Sequence, residues 1–288
     1  MSNHAINQNN PLTKFMRQPK IYITLPSEGK YWPPGSIEIP ENEQLAVYSM
    51  TAKDEMLFKT PDALMNGQAV VDVIQSCIPG IKNAWHTPSI DMDMILVAIR
   101  IATYGEKMTI TATVPEINEE EEYDIDLHQF VDKVSSNAWV EQIPISDDLI
   151  LFVRPLTYRH LTNIGIKSFE TNKIIQVASD QDLSEKQKLQ LVNDSFKVLS
   201  DLTTDMMVGT IFKIKTDEGD VTETRYIKEF IENADKGIFD LVQKHINDLK
   251  EHNEIKPITI TTSLEQQQAG APTTFDVPIN FDHATFFA

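Results

Sequence analysis

The sequence predicts an α+β protein of two lobes, on three observations. Residues 89–104 read SIDMDMILVAIRIATY and are apolar nearly all the way round in their second half, which marks a helix buried on every side. In residues 108–114 apolar side chains alternate with threonine, and Tyr123, Ile125 and Leu127 alternate with Asp124 and Asp126, the period of half-buried strands. Beyond Asn137 the order begins again: a shift of 106 residues aligns Ile37, Ile39, Leu45, Val47, Met50 and Thr51 with Ile143, Ile145, Leu151, Val153, Leu156 and Thr157. The match reads as strand, turn, strand and Thr-capped helix in each half, either a diverged tandem repeat or a chance likeness of short segments. The expected organisation is a flexible N-terminal arm at 1–20, an N-terminal lobe at 21–140, a mostly helical C-terminal lobe at 141–281 and a tail at 282–288.

Each element carries its own signals. The arm is rich in Asn and Gln and holds Pro11 and Pro19, with Phe15 and Met16 available to a partner. Residues 21–25 alternate as a short strand, and the Pro and Gly of PSEGKYWPPG impose a tight loop around Tyr31 and Trp32. Those two rings either face a neighbouring protein or pack back beneath the loop. Thr51 with Asp54 and Glu55 starts one helix, and Thr60-Pro61-Asp62 starts another that runs to Cys77. Thr87 suits the cap of the central helix, Pro88 its first turn, Asp91 and Asp93 its positive end and Gly105 its close.

The two alternating segments then pair as a hairpin across residues 115–122, which places Glu119, Glu120, Glu121 and Glu122 at its tip. That tip is a solvated loop or a docking patch for a basic partner. In the second half Ser184 and Gln187 form a capping box, after which Leu189, Val192, Phe196 and Leu199 share one helix face. Residues 206–214 suit a buried helix, with 208–214 equally readable as a strand. Residues 217–220 form a turn, Thr224 caps a further helix, and Ile238, Leu241, Val242, His245 and Leu249 mark the face of the next. A last hairpin joins residues 258–261 to 275–281. Phe286 and Phe287 either anchor a partner or fold back.

Composition narrows the chemistry. The chain has 288 residues and a formal net charge of −18, without a dense Lys/Arg block, which argues against nucleic acid and anionic membranes and in favour of protein partners. Cys77 is the lone cysteine, so an internal disulfide and a multi-cysteine metal site are both ruled out; it reads as a small buried residue in a reducing cytoplasm. The aliphatic run at 94–99 stops at Arg100, too short to span a bilayer, and the polar start lacks the pattern of a signal peptide. Asn193-Asp194-Ser195 is accordingly a chance sequon.

Catalytic motifs are wanting. The sequence holds no phosphate loop, dinucleotide fingerprint, HExxH pair or nucleophile elbow. Gly29-Lys30 lacks the upstream glycine of a phosphate cradle, and the dipole of the helix accounts for Asp91 and Asp93 without a metal. Histidines 86, 128, 160, 245 and 252 are scattered; His245 and His252 share a face but stand about 10 Å apart, too far for one ion. The expectation is no catalytic residue, no cofactor and no metal, with Tyr31, Trp32, Phe286 and Phe287 as the candidate partner contacts. An unrecognised hydrolase is the remote alternative, since a triad assembles in space and not in sequence.

Leu25-Pro26-Ser27-Glu28-Gly29-Lys30-Tyr31, then Thr51-Ala52-Lys53-Asp54-Glu55, then Asn66-Gly67, then a helix closing on Tyr104-Gly105 is an ordered set of short words. In order and spacing it resembles the T4-type baseplate protein family of contractile-tailed phages. The resemblance implies a non-enzymatic assembly factor or structural component of the baseplate hub, either a chaperone that leaves or a subunit that stays. Its implied partners are baseplate hub and tail proteins, the tape-measure protein among them, met in the cytoplasm of the infected host or in the virion baseplate. Many relatives carry Cys-Pro-x-Cys pairs resembling zinc knuckles between hairpin strands. Here that place reads Val114-Pro115-Glu116-Ile117, and the departure removes zinc.

Overall fold

The computed structural model describes residues 11–60, 66–130, 139–180, 184–253, 256–278 and 286–287. After a 3-10 turn at Thr13–Phe15, β1 (Pro19–Ile23) pairs antiparallel with β2 (Leu45–Tyr48), and the loop between them carries the tight PSEGKYWPPG segment. Among the described residues three α-helices follow: α1 (Ala52–Phe58), α2 (Gln68–Cys77) and α3 (Ser89–Tyr104). Thr51 and Asp54 cap α1 reciprocally. The Asp54 N–H donates to Thr51 Oγ1 at 3.2 Å, and the Thr51 N–H and hydroxyl both donate to Asp54 Oδ2 at 2.8 Å. The helix expected to run from Thr60 to Cys77 is not continuous: Asn66 and Gly67 form a turn, with Gly67 left-handed at φ 76°, and α2 starts at Gln68; Pro61 and Asp62 lie outside the described residues.

The central helix has the bounds the sequence predicts, and eleven of its residues are buried. Its start is built differently. Pro88 holds the cap position with extended backbone, while the Thr87 hydroxyl donates to the Ala84 carbonyl at 2.8 Å and the Thr87 carbonyl accepts the Tyr158 N–H at 2.8 Å. Thr87 therefore stands one position before the cap, with its carbonyl tied to Tyr158 and its hydroxyl to Ala84.

The strands β3 (Lys107–Val114) and β4 (Glu119–Asp126) pair over their full lengths, from Lys107 opposite Asp126 to Val114 opposite Glu119. Two left-handed residues, Glu116 and Asn118, close the turn in four positions. The four glutamates therefore lie within β4, opposite Val114, Thr113, Ala112 and Thr111, and not in a loop at the tip.

Around a second hydrophobic cluster the chain forms an antiparallel meander of β5 (Gln142–Ser146), β6 (Leu149–Val153), β7 (Ile211–Thr216) and β8 (Gly219–Val221). Between β6 and β7 the chain runs out and back as two long helices, α4 (Tyr158–Asp180) and α5 (Glu185–Thr210). Gln187 Oε1 accepts from both the N–H and the hydroxyl of Ser184, as a capping box requires. The ambiguous stretch at 206–214 is both things at once: helix through Thr210, strand from Ile211. The helices α6 (Thr224–Asn233) and α7 (Lys236–Asn253) cover this sheet, with Ile227, Ile231, Val242, Ile246 and Leu249 packed on Ile143, Leu151 and Ile214. Thr224 is the first residue of α6 and Glu223 holds its cap.

The chain then returns to the first core. The strands β9 (Ile258–Thr261) and β10 (Thr274–Val277) pair around the short helix α8 (Leu264–Gln268). Ile258, Ile260, Phe286 and Phe287 belong to the same buried cluster as Ile23, Ile74 and Ile95. The architecture is mixed α+β. Leu45 and Val47 lie in β2 and Leu151 and Val153 in β6, while Ile37 makes an isolated bridge to Ile81 and Ile143 belongs to β5. Among the described residues no helix is long and apolar enough to cross a membrane.

Candidate functional site

A carboxylate on an otherwise apolar helix face has to find donors, because leaving it unpaired in the core costs several kcal/mol. Asp91, fully buried on α3, finds three. The Ser27 N–H donates to Oδ1 at 2.9 Å, and the Ser27 hydroxyl and Trp32 Nε1 donate to Oδ2 at 2.5 and 2.8 Å. Burial nevertheless pushes its pKa up, against the lowering effect of these hydrogen bonds. The sequence reading assigned Asp91 to the dipole; the structure makes it the post to which the whole PSEGKYW loop is tied. Backbone at Glu28 (φ 51°) and Gly29 (φ 80°) turns the loop back, and a side chain at Gly29 would run into Ile39.

A second polar knot holds Arg17. The Arg17 guanidinium donates to the carbonyls of Ser49 and Ser76 at 2.7 and 2.6 Å and lies 3.5 Å from Asp54. Ser76 Oγ, which accepts from Arg17 at 2.9 Å, donates in turn to Asp54 Oδ2 at 3.0 Å. Cys77 next to it is buried, and desolvation together with the Asp54 charge pushes its thiol up to about 12, far from a reactive thiolate.

The four candidate contact residues are placed as follows. Trp32 is buried at the Asp91 post. Tyr31 is half-buried: its hydroxyl donates to Glu141 Oε1 at 2.9 Å, its ring meets Trp139 edge-on at 6.4 Å, and Lys30 pairs with the same carboxylate. Burial, then the Glu141 hydrogen bond, raises the Tyr31 pKa, while Lys30 lowers that of Glu141. Phe286 and Phe287 are buried in the first core, with Phe287 stacked on Phe58 at 4.8 Å between ring centroids. Arg100 Nε donates to the Phe286 carbonyl at 3.0 Å and the Tyr104 hydroxyl to that of Phe287 at 3.2 Å. Sequence reasoning missed Arg17 and gave Ser27 and Arg100 no anchoring role. The charged residues of an otherwise apolar helix, Asp91, Asp93 and Arg100, were the available signal.

Outward, the molecule is acidic. Glu119, Glu120 and Glu122 are exposed on β4, and Glu121 accepts from Gln266 Nε2 at 2.7 Å, which ties α8 to the hairpin. A shallow open recess of about 160 Å³ lies between α4 and α5 beside His160, Lys167 and Asp205, smaller than a usual ligand pocket. Burial, then the nearby arginines Arg154 and Arg159, lowers the His160 pKa, so the imidazole is neutral at pH 7. Among the described residues no three His, Cys, Asp or Glu side chains gather as metal ligands.

No curated protein and no solved structure matches the chain. The family described as T4 bacteriophage base plate protein matches residues 18–268, from the β1 edge through α8. The match takes in the loop tied to Asp91, the central helix and the whole β5–β8 meander, and the chain thus belongs to that family and is a phage baseplate component.

Proposed function

We propose that the protein is a non-enzymatic member of the baseplate hub pathway, an assembly factor or hub subunit that works by gripping other baseplate and tail proteins. The observation that supports this reading is where the family's words go in the fold. Ser27 and Trp32 are spent on holding one loop to Asp91 of α3, and Asp54 on capping α1 and accepting from Ser76 of α2, so these residues serve the scaffold and not a reaction centre. The contact surface in this reading is the one bearing Tyr31, Lys30 and Glu141. Tyr31 is the aromatic side chain through which the loop would touch a partner; Trp32 would hold that loop in place from Asp91, while Phe286 and Phe287 would close the core at the other end of α3. Hub, tail and tape-measure proteins are the partners in this reading, met in the host cytoplasm during assembly.

Pull-down of the purified chain against co-expressed hub, tail and tape-measure proteins is the test, with capture of at least one expected. Failure to capture any of them sinks the proposal. Mass spectrometry of finished particles then separates the two forms of it: an assembly factor is missing or substoichiometric, a subunit is present at fixed copy number.

A further inference from the structure

The α4–α5 hairpin carries an apolar stripe that begins inside the second core and continues beyond it. Leu189, Phe196 and Met207 on α5 are separated by seven and eleven residues, about two and three helical turns, so they share one face. Met207 is 1% exposed beneath the α6–α7 layer, whereas Phe196 and Leu189 are 62% and 63% exposed. Val192 and Leu199 beside them are half-buried. On α4, Phe169 is 55% exposed and stands level with Phe196, at a similar distance from the connection at 181–183. Apolar residues repeated at this spacing on an uncovered helix are the usual mark of a helix-packing face.

Charge indicates the occupant. Residues 158–210 carry six Lys and Arg against seven Asp and Glu, so all but one unit of the formal net charge of −18 lies elsewhere in the chain. In a two-fold contact each patch meets its own image, and an acidic surface therefore repels itself. The neutral hairpin is the face on which two copies approach without that cost. We propose that it is a self-association surface: two copies pair through their α4–α5 hairpins to form a four-helix bundle, each covering Phe169, Leu189 and Phe196 of the other. Helices of 23 and 26 residues at about 1.5 Å per residue give a face roughly 35 Å long, enough for a contact of roughly 1,000 Å². The inference rests on the hairpin alone and stands or falls independently of the hub assignment.

Sedimentation velocity on the full chain over a concentration series tests it. Wild type is expected to reach a dimer, and Phe196→Glu and Leu189→Gln each to weaken it at least about tenfold, with helix content and melting unchanged. Leu264→Glu, at an equally exposed leucine outside the hairpin, is expected to leave the dimer intact. Added salt should strengthen association, because it screens the acidic bodies while the contact itself is apolar. A wild type still monomeric at about 100 µM overturns the proposal. So does a dimer that both hairpin variants leave intact or that salt dissociates, and so does a monomer whose hairpin face instead binds a hub protein.

Discussion

Asp91 shows how one side chain can set the course of a loop. Replacing it with alanine leaves the Ser27 N–H and the Trp32 Nε1–H inside the core without acceptors, each worth about 1–3 kcal/mol, so Asp91→Ala should destabilise by about 2–4 kcal/mol in urea unfolding. Asp91→Asn keeps the shape but turns an amide donor toward one of those groups, and should cost less. The pH dependence has a definite sign. Because burial raises the folded-state pKa of Asp91, between the ordinary carboxylate range and that raised value the folded chain keeps a proton that the unfolded chain has released. Its contribution thus grows as pH falls through that window and is lost as pH rises. The stability advantage of wild type over Asp91→Asn should narrow with rising pH, and a flat difference would show that Asp91 does not titrate there. The identity of Asp91 as an anchor was present in the sequence only as an oddity, an acid among Ile and Met. Its partners, 59 and 64 residues away, were not legible, because a tertiary hydrogen bond leaves no periodic trace.

Among elements, burial and not residue type separates equivalent substitutions. Ile95→Ala on α3 removes a fully enclosed side chain and should cost about 2–5 kcal/mol. Met56→Ala on α1 removes one that is 64% exposed and should stay within about 0.5 kcal/mol, a contrast measurable by parallel chemical denaturation. Elements with a strong local pattern were legible at full length. The helix at Ser89–Tyr104 announced itself by its all-round apolarity, and the Ser184–Gln187 box by its spacing. The extent of β4 was hidden because four consecutive glutamates look like a loop, and only pairing with β3 holds them extended. At residues 206–214 the apolar run has no preferred period, so the change from helix to strand at Thr210 is set by the sheet it joins.

For the molecule as a whole, the charge is the dominant fact. A net −18 with a sequence pI of about 4.7 implies self-repulsion that favours the expanded state at neutral pH. Raising salt from about 0.05 to 0.5 M should therefore raise the unfolding midpoint; a fall would mean that specific ion pairs outweigh the general repulsion. The family's identity was legible in four short words, but the surface it uses was not, because those words are turned inward.

The first core also sets an order of events during synthesis. Ile258, Ile260, Phe286 and Phe287 complete a cluster whose other members are all made before Asn137, so every residue of the second core leaves the ribosome before the first core can close. Domains ordinarily mature in the order they are translated. In this chain the later-made core is able to finish first, while the earlier one waits, its central helix still uncovered, for residues made after it.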